Sequence, residues 1–219
     1  MDYGKIQRFG GYCGIAAIAI YVLCSLAAAF QFPAHYSPFD NWISDLGSYA
    51  KNPAGAIVYN VGAGAAALLL VPLFLSLMAW HKQAGKYRAL YVGAEIFGLL
   101  AALGLLMHAV FQEGTSWHTF WATVCFGSMV VVLALANAAL LRHPKFNKSI
   151  GYYGFFAALV GLIFFALFVA LESPPIIMEW AAAYAGFLWV WLFSWNGLHY
   201  GHNGHNGHNG HHGAVSRQP

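Results

Sequence analysis

Residues 55–80 read GAIVYNVGAGAAALLLVPLFLSLMAW, a stretch that contains no Asp, Glu, Lys or Arg. A helix of about 20 apolar residues crosses the ~30 Å hydrocarbon core of a bilayer, so this stretch is long enough to span one. Six such apolar runs occur in the chain, separated by short polar connectors: 10–32, 55–80, 89–111, 119–141, 150–171 and 177–198. We therefore predict six transmembrane helices.

The composition also indicates a membrane protein. Of the 219 residues, 60% are hydrophobic and 8% are charged, whereas soluble domains carry about 25% charged residues. Only helices and closed barrels satisfy every backbone hydrogen bond in lipid, and barrel strands are short and alternate in polarity. The predicted fold is an all-α, polytopic membrane helix bundle over residues 1–198, followed by a disordered, Gly-His-Asn-rich cytoplasmic tail over residues 199–219.

The positions of the basic residues predict the orientation, because Lys and Arg favour the cytoplasmic side of a membrane. Nine of the ten lie before span one, in the second and fourth connectors or in the tail: Lys5, Arg8, Lys82, Lys86, Arg88, Arg142, Lys145, Lys148 and Arg217. We therefore predict a multi-pass protein of the cell membrane with both termini in the cytoplasm. Ala27-Ala28-Ala29 loosely resembles a signal-peptide cleavage site, but the apolar run is longer than a signal core, so we expect span one to stay uncleaved.

The outer connectors are rich in groups that bind metals or transfer protons. The first contains His35-Tyr-Ser-Pro-Phe-Asp-Asn-Trp-Ile-Ser-Asp-Leu-Gly47, and the other two add Gln112, Glu113, Ser116, His118, Glu172 and Glu179. Because these loops meet at one face of a small bundle, we predict a shared outer polar site. Its candidate catalytic residues are Ser44, Asp45, Glu113 and His118, and its candidate ligand-binding residues are His35, Asp40, Asn60 and His108.

Two chemistries fit this predicted site. Its histidines and carboxylates could hold a zinc ion, which prefers such ligands and activates a bound water molecule. Alternatively, Ser44, His118 and Asp45 could act as nucleophile, base and orienting acid. Neither set has diagnostic spacing, since the chain lacks H-E-x-x-H and G-x-S-x-G motifs. Solvated loop, turn and helix-cap roles also account for the same residues.

Glu95 lies about two turns inside the third span, among apolar residues. An acid within a membrane normally faces a partner or a water-filled cavity. The position therefore predicts either the proton or ion site of a small transporter or a hydrogen bond to a neighbouring helix, for which Asn137 is the candidate partner.

The segment after the last span repeats Gly-His-Asn. Flexible His-rich tracts bind metals such as nickel, copper and zinc; an incidental low-complexity repeat is the alternative interpretation. The candidate metal ligands are His202, His205, His208, His211 and His212. The cofactor is thus unknown, with zinc and nickel as the candidates.

Three motifs in order resemble the domain-of-unknown-function 998 family. They are Ile43-Ser-Asp-Leu-Gly47 with Val58-Tyr-Asn60-Val-Gly62, then Phe111-Gln-Glu-Gly-Thr-Ser-Trp-His118, and Met178-Glu179 near the last span, with Gln112 replacing the proline usual in the second motif. The resemblance covers about residues 10–198 and implies a six-helix membrane protein without an established activity, distantly similar to DRAM and CWH43-type proteins. It also implies one outer-face pattern made of Ser44, Asp45, Gly47, Asn60, Glu113 and His118.

Taken together, these features favour a membrane protein whose outer polar site binds a lipid or a small ligand. The alternatives are a metal-dependent hydrolase or transferase that acts on lipid and a small transporter that uses Glu95, so the sequence leaves open whether the protein is an enzyme. Membrane lipids are the expected partners, and a homo- or hetero-oligomer in the membrane is a further option. No basic patch with interleaved aromatic residues is present, so we expect no nucleic-acid partner.

Overall fold

The computed structural model describes residues 2–111, 113–171 and 174–203. It contains six long helices: α1 (Tyr3–Phe30), α2 (Ala56–Leu75), α3 (Arg88–Val110), α4 (Ser116–Leu140), α5 (Lys148–Ala170) and α6 (Ile177–Asn203). All six are long and apolar enough to cross a membrane, and the described residues contain no β-strand. The predicted all-α membrane bundle is confirmed, and the chain is a multi-pass membrane protein.

The six helices form a closed ring. Each helix packs against its neighbours in the sequence, and α6 packs against α1. Because consecutive helices run in opposite directions, the connectors after α1, α3 and α5 meet at one end of the ring, which we call the acidic end. The connectors after α2 and α4 lie at the opposite, basic end. There the start of α1 meets the end of α6, with Gly11 against Ser194.

Side-chain caps help to fix where three of the helices begin. Asp2 precedes α1, Thr115 precedes α4 and Asn147 precedes α5, and each accepts a hydrogen bond from a backbone N–H group of the first turn that follows. The distances are 3.1 Å for Asp2, 3.2 Å for Thr115 and 3.0 Å for Asn147. Such caps satisfy N–H groups that have no partner within the helix.

Glycine allows close contact between helices at two places in the ring. A Cβ atom on Gly62 of α2 would overlap the side chain of Cys24 in α1. A Cβ atom on Gly104 of α3 would lie 2.7 Å from the backbone nitrogen of Cys125 in α4. Small residues that let backbones approach in this way are a common feature of membrane bundles.

The second span has the predicted extent, Ala56–His81, but its helix type changes near its end. α-Helical geometry stops at Leu75, and the chain continues as two 3-10 helices, Ser76–Gln83 and Gly85–Tyr87. Pro72 lies in the last turns of α2 and has no N–H group to donate. In addition, the hydroxyl of Ser76 donates to the carbonyl of Leu73 at 2.6 Å, which gives that carbonyl a partner outside the α-helical pattern.

The last helix is longer than predicted. α6 continues to Asn203, beyond residue 198 at which the span was expected to end. The backbone of His202 therefore belongs to α6. The remainder of the expected tail, 204–219, lies outside the described residues, and so do the other candidate metal ligands of the tail: His205, His208, His211 and His212.

A buried polar junction joins α4, α5 and α6. Asn137 accepts a hydrogen bond from Nε1 of Trp189 at 3.0 Å and donates its amide to the carbonyl of Leu133 at 2.6 Å. Gly154 of α5 faces the same amide, and a Cβ atom there would overlap it. Asn137 and Trp189 are fully buried, so this junction fixes how the three helices fit together.

Candidate functional site

A short 3-10 helix, Ile43–Gly47, closes the acidic end of the ring. The backbone N–H of Ile43 donates to Oε2 of Glu179 at 2.7 Å. Close by, Nε1 of Trp180 donates to the carbonyl of Asn41 at 2.8 Å. These two hydrogen bonds fasten the first connector to the first turn of α6.

Lys51 links the first connector to the one between α3 and α4. Its ammonium group lies 2.7 Å from Oδ1 of Asp45 and 3.2 Å from Oε1 of Glu113. The second oxygen of Asp45 accepts the backbone N–H of Trp42 at 3.2 Å, so both oxygens of this buried carboxylate are engaged. Burial lowers the pKa of Lys51, but the hydrogen bonds to the two carboxylates outweigh it and raise that pKa above its ordinary value. Asp45 thus holds the connectors together.

Three of the predicted ligand-binding residues lie outside the site. His35 and Asp40 are exposed on the first connector, where the carboxylate of Asp40 accepts a hydrogen bond from the hydroxyl of Ser37. Asn60 donates from Nδ2 to the carbonyl of Gly47 at 3.0 Å and so fixes the end of the 3-10 helix. None of the three lines either of the two cavities described below.

His108 of α3 and His118 of α4 lie side by side, with their ring centroids 4.0 Å apart. Nδ1 of His118 is 3.0 Å from the carbonyl oxygen of Phe111. Because a carbonyl can only accept, Nδ1 carries the proton in this hydrogen bond, and Nε2 is the acceptor of the neutral ring. Both histidines are buried, and Nδ1 of His108 has no hydrogen-bond partner among the described residues.

A cleft of about 500 Å³ lies at the acidic end beside α4 and α5, and we call it the outer cleft. Its hydrophilic lining residues are Ser44, Glu113, Thr115, Ser116, His118, Thr119, Thr123 and Glu179. The others are Trp42, Gly114, Ala122, Phe126, Phe164, Phe165, Phe168 and Pro174. Thr119 and Phe168 are exposed, so the cleft reaches the surface of the protein. All the lining residues from α5 are aromatic, whereas the hydrophilic ones come from the connectors, from α4 and from Glu179 of α6. We call these two sides the aromatic wall and the polar wall.

A smaller inner chamber of about 100 Å³ lies deeper in the ring. Its lining is mainly apolar, with five side chains that carry a polar or ionisable group: Tyr21, Tyr59, His108, Cys125 and Glu179. The hydroxyls of Tyr21 and Tyr59 bond to each other at 2.8 Å. Ala122, Phe126 and Glu179 line both the chamber and the outer cleft, so the two spaces are neighbours.

The structure brings only part of the predicted site together. Ser44, Glu113 and His118 line the outer cleft, and His108 lines the inner chamber beside His118, while Asp45 lines neither space. Within the described ranges, no three His, Cys, Asp or Glu side chains are grouped closely enough to hold a metal ion. The described residues therefore provide no set of ligands for the zinc ion that the sequence suggested.

Glu179 is the site residue that the sequence did not single out. It is 7% exposed and lines both spaces, although an acid in the last outer connector resembles an ordinary solvated residue. Its sequence signal is its position in the first turn of an apolar span, where burying a charge is expensive.

Glu95 lies towards the basic end. Its Oε1 atom is 3.0 Å from Nε2 of His81, but the two atoms are not aligned as a hydrogen bond. The two groups therefore attract each other as an ion pair only when His81 is protonated and Glu95 is ionised. Its partner is His81 rather than Asn137, and Glu95 lines neither the outer cleft nor the inner chamber.

A family model described as a protein of unknown function, DUF998, matches residues 15–196. No curated protein and no solved structure matches the chain. The matched range contains every residue that lines the outer cleft. The more distant similarity to DRAM and CWH43-type proteins stays a prediction.

Proposed function

The chain belongs to the DUF998 family of proteins of unknown function, and from this premise we propose that it binds an amphiphilic membrane lipid in the outer cleft. The observation that carries the proposal is the division of the cleft into a polar wall and an aromatic wall. A lipid is divided in the same way, into a headgroup and an acyl chain.

The size and the position of the cleft support a lipid ligand. Small-molecule sites commonly have volumes of about 300–1,000 Å³, and the outer cleft has about 500 Å³. Its aromatic wall includes Phe164, Phe165 and Phe168 of α5, and Phe168 is itself exposed beside the exposed Val169. A lipid could therefore move between the bilayer and the cleft without leaving apolar surroundings.

A labelling experiment tests this proposal. The full chain in lipid nanodiscs is irradiated with a phospholipid that carries a photoreactive group on its acyl chain, and the labelled peptides are identified. Labelling should fall on α4 and α5 beside the cleft. Replacing Phe165→Ala together with Phe168→Ala should reduce labelling about fivefold, since roughly 1 kcal/mol of van der Waals contact is lost.

A matched pair of substitutions on the same helix serves as the control. Phe155 and Phe156 are exposed on α5 and do not line the cleft, so Phe155→Ala with Phe156→Ala should leave labelling unchanged. Equal labelling of both double variants and the original chain would show that lipid binds elsewhere.

A lipid hydrolase is a second candidate, and the orientation of His118 favours it. With Nδ1 donating to Phe111, its Nε2 could take a proton from Ser44 or from a water molecule in the same cleft. Release of fatty acid from the bound lipid by the full chain, lost in His118→Ala, would identify an enzyme. Binding without release would limit the protein to carrying or sensing the lipid.

A further inference from the structure

The outer cleft offers hydrogen-bond acceptors without a matching cation. Two carboxylates, Glu113 and Glu179, lie in its wall, and none of the described residues that line it is Lys or Arg. Lys51 lies nearby, but its ammonium group already serves Asp45 and Glu113. Among the described residues, the protein itself therefore offers no cation to Glu179.

Of the two acids in the cleft, Glu179 is the one that has no ionic partner among the described residues. Among the described residues, its carboxylate receives only the backbone N–H of Ile43, on Oε2, and no ion pair includes it. A carboxyl group buried in this way keeps its negative charge only beside a cation or several hydrogen bonds, since removing the charged form from water costs several kcal/mol. The side chain of Glu179 lines both the outer cleft and the inner chamber.

The two histidines give separate evidence for a missing ligand group. His118 uses Nδ1–H for the carbonyl of Phe111, which leaves a lone pair on Nε2. His108 is 8% exposed, and its Nδ1 has no partner among the described residues although it lines the chamber that Glu179 also lines. A buried polar atom of this kind normally finds a partner. Nε2 of His118 and the carboxylate of Glu179 therefore share one requirement, a group that donates hydrogen bonds.

Building on the proposed function, we infer that the lipid bound in the outer cleft carries a protonated amine in its headgroup, with the ammonium group placed against Glu179. An ammonium donates up to three hydrogen bonds and supplies the missing positive charge. Trp42 and Phe126 line the same cleft, and aromatic faces attract ammonium groups.

A purely anionic headgroup does not suit this wall. Its charge would lie among Glu113 and Glu179, and like charges in a partly dry site repel strongly. The ammonium could belong to a phospholipid such as phosphatidylethanolamine or to a long-chain amine without phosphate. Both present the same group to Glu179.

The inference is tested with three probes that carry the same photoreactive chain: a long-chain primary amine, phosphatidylethanolamine and phosphatidylglycerol. Each is applied to the full chain in nanodiscs. At least one of the two amine probes should label the cleft about tenfold more than phosphatidylglycerol does. Labelling by only one amine probe identifies whether the natural ligand carries a phosphate.

Glu179→Gln should remove this preference while keeping the fold, because the amide oxygen of Gln can still accept the N–H of Ile43. Glu95→Gln is the matched control, since it changes a partly buried acid that lines neither space, and it should keep the preference. Equal labelling by phosphatidylglycerol, or a preference that survives Glu179→Gln, overturns the inference.

The Phe165→Ala and Phe168→Ala double variant separates the two levels of failure. If all three probes label the original chain equally but label this variant less, the amine preference is wrong, whereas lipid binding in the cleft is retained. If every probe labels the double variant as strongly as the original chain, both the inference and the proposed function are wrong.

Discussion

Lys51 is the only Lys or Arg in the three connectors of the acidic end, and it holds two carboxylates that belong to different loops. Its own side chain is 45% exposed, whereas that of Asp45 is 4% exposed. Loss of the ammonium group would therefore leave a buried carboxylate without its cation, which destabilises a protein more than loss of a surface ion pair does.

We expect Lys51→Met to lower the free energy of unfolding by about 1–2 kcal/mol. The loss should appear as a reduced midpoint of thermal unfolding in detergent. Lys5→Met is the control, because Lys5 and Asp2 form an exposed pair at 3.8 Å whose loss should change the midpoint little. Similar midpoints for the two variants would mean that Lys51 does not hold the loops.

His143 makes stability depend on pH at the basic end. It is buried, its ring lies 4.7 Å from that of Trp80, and burial together with Lys148 and Lys145 lowers its pKa below the ordinary 6.5. A lowered histidine pKa means that the unfolded chain binds more protons than the fold does. The neutral ring thus supports the fold above pH ~6.5, and this support is lost as the pH falls through that value.

The corresponding prediction is that His143→Gln flattens the pH dependence of stability. Unfolding midpoints measured from pH 8 to pH 5 should fall less in the variant than in the original chain, since the substituted residue does not titrate. Parallel curves for both proteins would assign the acid sensitivity to other groups.

At the scale of the helices, the junction of α4, α5 and α6 depends on a single missing methyl group. Gly154 faces the amide of Asn137, whose oxygen is bonded to Trp189. Gly154→Ala should therefore push the amide away from the indole and destabilise the fold by about 1–3 kcal/mol. Gly186→Ala in α6 is the control, because an added Cβ there meets no atom within 4 Å. Unfolding in detergent that gave the same loss for both would contradict this account.

The helices themselves follow from the apolar runs, since each run is long enough to cross a bilayer. The departure in α2 involves Pro72 and Ser76, two residues whose effect is local hydrogen bonding rather than hydropathy. The extension of α6 to Asn203 runs through Gly and Asn, residues with poor helix propensity. Propensity alone therefore predicts too early an end for this helix.

For the whole molecule, the proposed orientation places the acidic end outside the cell. His35 is exposed on the first connector, so a chain without native cysteines that carries His35→Cys should react with a membrane-impermeant thiol reagent added to intact cells. Lys86→Cys at the basic end should react only after the cells are opened, since nine of the ten Lys and Arg residues are predicted to lie inside. The reverse result would invert the topology.

The sequence predicts which connectors lie together at one end of the bundle, but not which of their side chains face a common space. Ser44, Glu113 and His118 were identified because six spans place their connectors at one end. His35 and Asp40 were equally plausible from the sequence, since spacing along a loop does not reveal which side chains turn inwards. Glu179 was missed because its burial depends on the 3-10 helix that covers it, a contact between distant parts of the chain.

The attachment of the first connector to α6 also has a consequence for biosynthesis. Asn41 and Ile43 are made early, but their partners Trp180 and Glu179 belong to α6, which is synthesised more than 130 residues later. Until that helix has entered the bilayer, the backbone groups of this connector must be hydrated or held by insertion machinery. The acidic end therefore cannot close before α6 is in place, and a nascent chain interrupted before α6 would leave these backbone groups of the first connector uncovered.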